Sequence, residues 1–232
     1  MREYTDEEMK TILRSVNCGY GPERTDFTMK DPAGYITFNS IIDNPGVGNE
    51  RNFVRVKEYN SEKPFENIVC VRPDYEYEIY IYFHNDAMSK LNASGEGIAH
   101  NTRIQGGFKK RIINKDNPSL VYATIRCEDA TPPEIWDGAV LATDSEEDIE
   151  LLYVTNSLKI YLGDVVQPLP KDDFFNNPGA LIGCNPENKL NGDVYACAEY
   201  SGYIKYRLHA VLVKEKHKIM DQVIPNPNRK ED

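Results

Sequence analysis

Apolar and polar residues alternate over many short runs of this chain, most densely at residues 75–87, Tyr-Glu-Tyr-Glu-Ile-Tyr-Ile-Tyr-Phe-His-Asn-Asp-Ala. Successive side chains of a strand point to opposite faces. Tyr77, Ile79, Ile81 and Phe83 therefore share one side, and Glu76, Glu78, Tyr80, Tyr82 and His84 the other. This pattern predicts a central strand with one buried face and an aromatic, acidic face in or near water. Weaker alternation predicts strands over residues 35–42 (Ile36, Phe38 and Ile42 inside), 53–58, 67–71, 102–110, 120–127 and 135–142. Residues 149–154 and 158–162 read as a hairpin pair, and 200–213 as a long final strand with Ile204, Tyr206, Leu208, Ala210 and Leu212 on one face. Gly106-Gly107 predicts a bulge. Asp43-Asn44-Pro45-Gly46, Arg72-Pro73-Asp74 and Thr131-Pro132-Pro133 are turn signals. Residues 85–97 and 168–195 read as loops.

One stretch has helical spacing instead. Thr5 and Glu8 stand as in a capping box, Met9, Ile12, Leu13 and Val16 repeat on one face, and Asn17, Cys18 and Gly19 end it. This helix is either packed on a sheet edge or a partner-binding, self-associating arm. Beyond Lys214 the chain is charged and carries Pro225 and Pro227, a tail without the apolar content to fold. About ten short strands, one helix and no strand–helix alternation predict a mainly β fold, an antiparallel β-sandwich. The expected division is a helical arm over 1–19, a sandwich over 20–214 and a tail over 215–232.

Composition narrows the class of partner. Among 232 residues, 27 Lys and Arg against 37 Asp and Glu give a net charge of −10. That argues against a nucleic-acid or anionic-membrane surface, since both need a basic patch. No apolar run approaches the ~20 residues needed to span a bilayer. The N-terminus lacks the apolar region of a secretory signal, so the chain is either intracellular or a piece cut from a longer exported precursor. Fifteen tyrosines beside one tryptophan suit β structure and amphipathic surface contacts.

Candidate chemistry is sparse. His84-Asn85-Asp86 ends the densest strand, and a histidine beside a carboxylate can act as a general base or a metal ligand. The competing view is a loop whose polar groups satisfy turn backbone, and His100, His209 and His217 show no ligand spacing. The five cysteines, Cys18, Cys70, Cys127, Cys184 and Cys197, include no Cys-x-x-Cys pair, which argues against a zinc knuckle. Cys184 and Cys197 flank a loop rich in Asn and Gly. They are either a disulfide, contributing roughly 3 kcal/mol in a chain-entropy account, or two reduced thiols. Glu128 and Asp129 beside Cys127 disfavour its thiolate, so no catalytic cysteine is expected. Residues 144–148, Lys171-Asp172-Asp173 and the Asp193 loop are either solvated acidic turns or calcium ligands, although none has the EF-hand pattern. Asn44-Pro45-Gly46-Val47-Gly48 lacks the lysine of a phosphate loop. Tyr80, Tyr82, Tyr203 and Tyr206 are either cross-strand packing pairs or a surface for sugar rings. Lys57 and Lys205 lie on predicted strands, as lysines of intramolecular isopeptide bonds do, with no spacing that separates them from surface lysines.

Several segments together resemble a known family. They are Tyr20-Gly21-Pro22-Glu23-Arg24, Phe27-Thr28-Met29, Tyr35-Ile36-Thr37-Phe38-Asn39-Ser40-Ile41, Asp43-Asn44-Pro45, and Gly48-Asn49-Glu50-Arg51-Asn52-Phe53-Val54-Arg55-Val56. His84-Asn85-Asp86-Ala87, Leu91-Asn92-Ala93-Ser94-Gly95, Gly97-Ile98-Ala99, Gly183-Cys184-Asn185 and Glu199-Tyr200-Ser201-Gly202-Tyr203 follow in order. Over roughly residues 20–213 the chain resembles an uncharacterised extracellular β domain of predicted surface proteins from Gram-positive and Saccharibacteria-type bacteria. The resemblance implies an exported domain with no catalytic residues to carry over, trimmed of its signal and anchor. Residues 186–198, with Cys197, interrupt the family pattern and favour a local disulfide. The functions to weigh are a non-catalytic structural or adhesive domain, a carbohydrate-binding module using Tyr80, Tyr82, His84, Asn85 and Asp86, and a hydrolase centred on His84 and Asp86. The expected partner is a protein or glycan at a cell surface. No cofactor is expected, apart from the calcium alternative.

Overall fold

The computed structural model describes residues 5–16, 18–108 and 113–213. The expected tail over 215–232, His217, Asn17 and the end of the 102–110 strand lie outside them. Two sheets face each other. The first contains β1 (Val54–Glu58), β3 (Glu76–Phe83), β11 (Gly202–Leu212), β8 (Lys159–Leu162) and β9 (Val165–Pro168) in that order, with β7 (Ile149–Tyr153) also on β11. The second runs β10 (Ala180–Leu181), β4 (Arg103–Phe108), β5 (Ser119–Arg126), β6 (Glu134–Ala142), β2 (Ile68–Cys70). Every pairing is antiparallel except β2 with β6. The chain is thus mainly β, with the two-sheet arrangement of a sandwich.

The alternation in sequence becomes the core. Tyr77, Ile79, Ile81 and Phe83 of β3 and Ile204, Tyr206, Leu208 and Ala210 of β11 are fully buried, facing Val121, Ala123 and Ile125 of β5 and Ile135, Ala139 and Leu141 of β6. Burying each large side chain contributes roughly 1.5–3 kcal/mol. Phe174, from the short helix α2 (Lys171–Phe175), enters this layer and lies over Gly106. A Cβ there would stand 2.2 Å from the ring. Gly107, next along, lies under the ring of its cross-strand partner Tyr122. The glycine pair therefore makes room for two aromatic rings. The register runs through it without a bulge, Gln105 to Thr124, Gly106 to Ala123, Gly107 to Tyr122.

α1 (Asp6–Ser15) begins with the expected capping box. Glu8 N–H donates to the Thr5 hydroxyl, and Thr5 N–H donates to the Glu8 carboxylate at 2.8 Å. Met9, Ile12, Leu13 and Val16 pack on Ile68, Val140 and Ala142, the outer face of the second sheet at its β6–β2 edge. The apolar stripe that self-association would need is the one covered by this contact. Among the described residues no helix is long and apolar enough to cross a membrane.

Three other expectations are corrected. β7 and β8 do not pair with each other. They lie end to end along β11, at Leu208–Leu212 and Gly202–Lys205 respectively, and β8 forms its hairpin with β9. Residues 35–42 form no regular strand, because their backbone bonds scatter to His84 and Asp86, Phe27, Glu50 and Thr131 instead of following one ladder. Ile41, not Ile42, is inside, at 2% against 38% exposed. Residues 168–195 contain α2 and β10 as well as loop.

Candidate functional site

Alternation along β3 places Tyr82 and His84 on the same side, and the strand ends just before His84. Their side chains do not reach water. The irregular segment before β1 folds over them, and Tyr82 is 6% and His84 2% exposed. Asn39 fastens that segment. It adopts φ 48°, a left-handed conformation that asparagine tolerates. Its side-chain amide donates to the Tyr82 carbonyl at 3.0 Å and accepts the His84 N–H at 2.8 Å, completing the strand end. The Asn39 N–H in turn donates to the His84 carbonyl at 3.1 Å.

Below this clamp, three ionisable side chains converge. His84 Nδ1 lies 3.1 Å from each carboxylate oxygen of Glu50 and 2.9 Å from Asp86 Oδ1. Glu50 and Asp86 are 0% and 1% exposed. Asp86 Oδ2 accepts the backbone N–H groups of Ser40 and Ile41, whereas Asp86 Oδ1 lies near Nδ1 without hydrogen-bond alignment. Glu50 Oε1 accepts from Asn44 Nδ2 at 2.5 Å, and Asn44 also donates to the Tyr82 hydroxyl at 3.3 Å. His84 Nε2 is buried with no protein partner. Burial pushes the Glu50 carboxyl up to about 7 despite its bonds to His84 and Asn44, with Asp86 adding to the rise. Burial works against a charged His84, but the Asp86 and Glu50 carboxylates outweigh it and hold the imidazole well above its usual range. Both groups therefore bind a proton more tightly than they would in water.

The residues read from the sequence as a ligand surface are therefore dispersed or sealed. Asn85 is a structural tie: its Nδ2 donates to the carbonyls of Gly97 and Val194 at 2.8 and 2.9 Å. Tyr82, His84, Asn85 and Asp86 are all buried, which overturns the expectation of a water-facing strand end, and Tyr206 is 0% exposed. Tyr80 is half-buried between Phe65 and Tyr203, ring centres 5.1 Å away on both sides, and Tyr203 stacks on Tyr161 at 4.6 Å and 11°. These rings pack against one another, tilted at Tyr80 and stacked at Tyr203 and Tyr161. Lys57 and Lys205 both lie over the Phe65 ring, and Lys205 Nζ is 3.4 Å from Glu78. Cys184 and Cys197 are partly exposed free thiols, as Cys18 is, while Cys70 and Cys127 are buried. Burial raises the thiol of Cys127, in keeping with an unreactive cysteine. Among the described residues, the one group of three His, Cys or carboxylate ligand atoms gathered closely enough for an ion is Glu50, His84 and Asp86, not any acidic turn.

Two features went unread in the sequence. Glu50 sits in a turn with no periodicity to mark it as buried. Trp136, 44% exposed, and Tyr122, 38% exposed, line a cavity of about 260 Å³ on the outer face of the second sheet together with Gly138, Cys18 and Leu120. In comparisons with sequence families, curated proteins and solved structures, nothing matches this chain.

Proposed function

We propose that the chain is a non-catalytic structural or adhesive domain of an exported surface protein, a rigid β frame that displays its outer faces. The observation that carries this reading is the sealing of His84. A general base must come within hydrogen-bond reach of a substrate proton, and His84 is 2% exposed with Nδ1 facing two carboxylates. Asp86 and Asn85, its neighbours, are committed to backbone groups that hold loops in place. The family resemblance supports the exported setting. Diethyl pyrocarbonate labelling read by peptide mass spectrometry tests the frame. His84 should stay unmodified in the folded protein and react only after denaturation, while the 59%-exposed His100 reacts at once. Labelling of native His84, or a hydrolytic activity lost in His84→Gln, would overturn the reading.

A carbohydrate-binding reading is favoured by a different place from the Tyr80 face. Tyr122 lies across Gly107 and Trp136 across Gly21, each ring backed by a glycine, beside the 260 Å³ cavity. Aromatic rings backed in this way keep a face for the apolar side of a sugar ring. A glycan array with the native chain, Tyr122→Ala and Trp136→Ala tests it. Binding that survives both substitutions places the ligand elsewhere.

A further inference from the structure

The Glu50–His84–Asp86 cluster does more than pin a loop. Its four ligand atoms, both Glu50 oxygens, Asp86 Oδ1 and His84 Nδ1, come from two segments far apart in sequence and converge in the buried interior. The separations from Nδ1, 3.1, 3.1 and 2.9 Å, match those between ligand atoms around one small cation. With metal–ligand bonds of about 2.1 Å, neighbouring donors stand roughly 3.0–3.4 Å apart. Ligand atoms of all three residues lie within 4.8 Å of one another. Asp86 Oδ1 has no hydrogen-bond donor, although its partner oxygen has two. Charge points the same way. Among the described residues no lysine or arginine forms a salt bridge with either carboxylate: Arg51, next to Glu50, pairs with Asp26 and donates to the Arg24 carbonyl, and Arg24 donates to Ser40 Oγ and to the carbonyls of Pro22 and Asn39. Two buried carboxylates carry more negative charge than one protonated imidazole offsets, and a dication that displaces the ring proton would leave the cluster neutral.

We propose that Glu50, His84 and Asp86 form a structural binding site for a divalent first-row transition ion, with Zn2+ or Mn2+ as its occupant. An imidazole nitrogen with carboxylate oxygens suits such ions better than the all-oxygen shell that Ca2+ prefers. The ion loads as the chain folds, because the finished site is closed to solvent, and it ties the segment before β1 to the end of β3. The outer-shell contacts are already placed: Asn44 donates to Glu50, and two backbone N–H groups orient Asp86.

The test uses the full chain, refolded from denaturant with chelator and then with Zn2+, Mn2+, Ca2+ or Mg2+ alone. Elemental analysis should find about one equivalent of Zn2+ or Mn2+ per chain after desalting. The thermal midpoint should rise with those ions and not with Ca2+ or Mg2+. Glu50→Gln and Asp86→Asn should weaken binding at least about tenfold, since even outer-shell changes cost that much. If these variants do not fold, X-ray absorption on the loaded native chain decides: one imidazole nitrogen with oxygen ligands supports the site, and sulfur in the shell overturns it. Refolded protein that holds no metal and has the same midpoint in every ion also overturns it, as does unchanged binding in folded Glu50→Gln.

Discussion

Asn39 and His84 are paired twice, the asparagine side-chain oxygen taking the histidine N–H at 2.8 Å and the asparagine N–H giving to the histidine carbonyl at 3.1 Å. A third bond, from the Asn39 amide to the Tyr82 carbonyl, makes this one side chain a substitute for a neighbouring strand. Asn39→Ala leaves a buried N–H and a buried carbonyl unpaired and puts a residue with a Cβ at φ 48° without the local bonding that asparagine brings. The expected loss is about 2–4 kcal/mol, read from urea denaturation midpoints. Asn39→Gly relieves the backbone and should cost measurably less than alanine. Equal losses would mean the backbone conformation contributes nothing.

Asp137, on the inner side of β6, accepts the Val54 N–H at 2.8 Å and is 3% exposed. Burial pushes its carboxyl from 3.8 up to about 7, against the pull of backbone N–H groups from Val54, Gly138 and Phe53. The folded state therefore holds this proton more tightly than the unfolded chain. The stability it contributes is full below pH about 4 and is lost as the pH rises through about 7, with a slope of up to about 1.4 kcal/mol per pH unit. Asp137→Asn keeps the acceptor and removes the titration. Its unfolding free energy should show a flatter profile between these limits and exceed the native value at pH 8.

Phe174 fits only because residue 106 has no side chain. Gly106→Ala should cost roughly 1–3 kcal/mol through overpacking, and Phe174→Ala about 3–5 kcal/mol through the cavity it leaves. The double variant tests the contact: the alanine methyl then fills part of that cavity, so the two losses should not add. Thermal unfolding of the three variants measures the coupling.

The capping box of α1 lies in water, so its energetics are modest. Thr5→Ala should cost about 1 kcal/mol, seen as faster amide exchange in residues 6–9 with little change in the β core. Leu13→Asp, on the face packed against Val140 and Ala142, should release the helix from the sheet and expose apolar surface to a hydrophobic dye.

The alternation in residues 75–83 and 204–210 marks the inner face of the first sheet, because a two-residue period leaves only one register that buries the apolar set; for residues 120–127 it marks a strand without saying which side is buried. The helix was equally plain, since cap and stripe agree. Pairing was not: nothing in residues 149–162 states that β7 and β8 share β11 instead of each other, as partner choice depends on distant residues. The position of His84 was misread for the same kind of reason. Alternation places it opposite Phe83, but only the return of residues 39–50 over that side removes it from water. Glu50 was invisible, because a buried carboxylate in a turn looks like any exposed one until its partners are known.

Between β7 and β8 the ladder along β11 is carried across the gap by single bonds. Val154 N–H donates to the Arg207 carbonyl at 3.0 Å, and Arg207 N–H donates to the Ser157 hydroxyl at 3.0 Å. Residues 155 and 156 swing outward and are exposed, with Asn156 at φ 60°. The protein thus has a splice point in mid-sheet. A peptide tag or a whole guest domain grafted between Thr155 and Asn156 would hang from the middle of a strand edge, with no inner-face residue displaced to accommodate it.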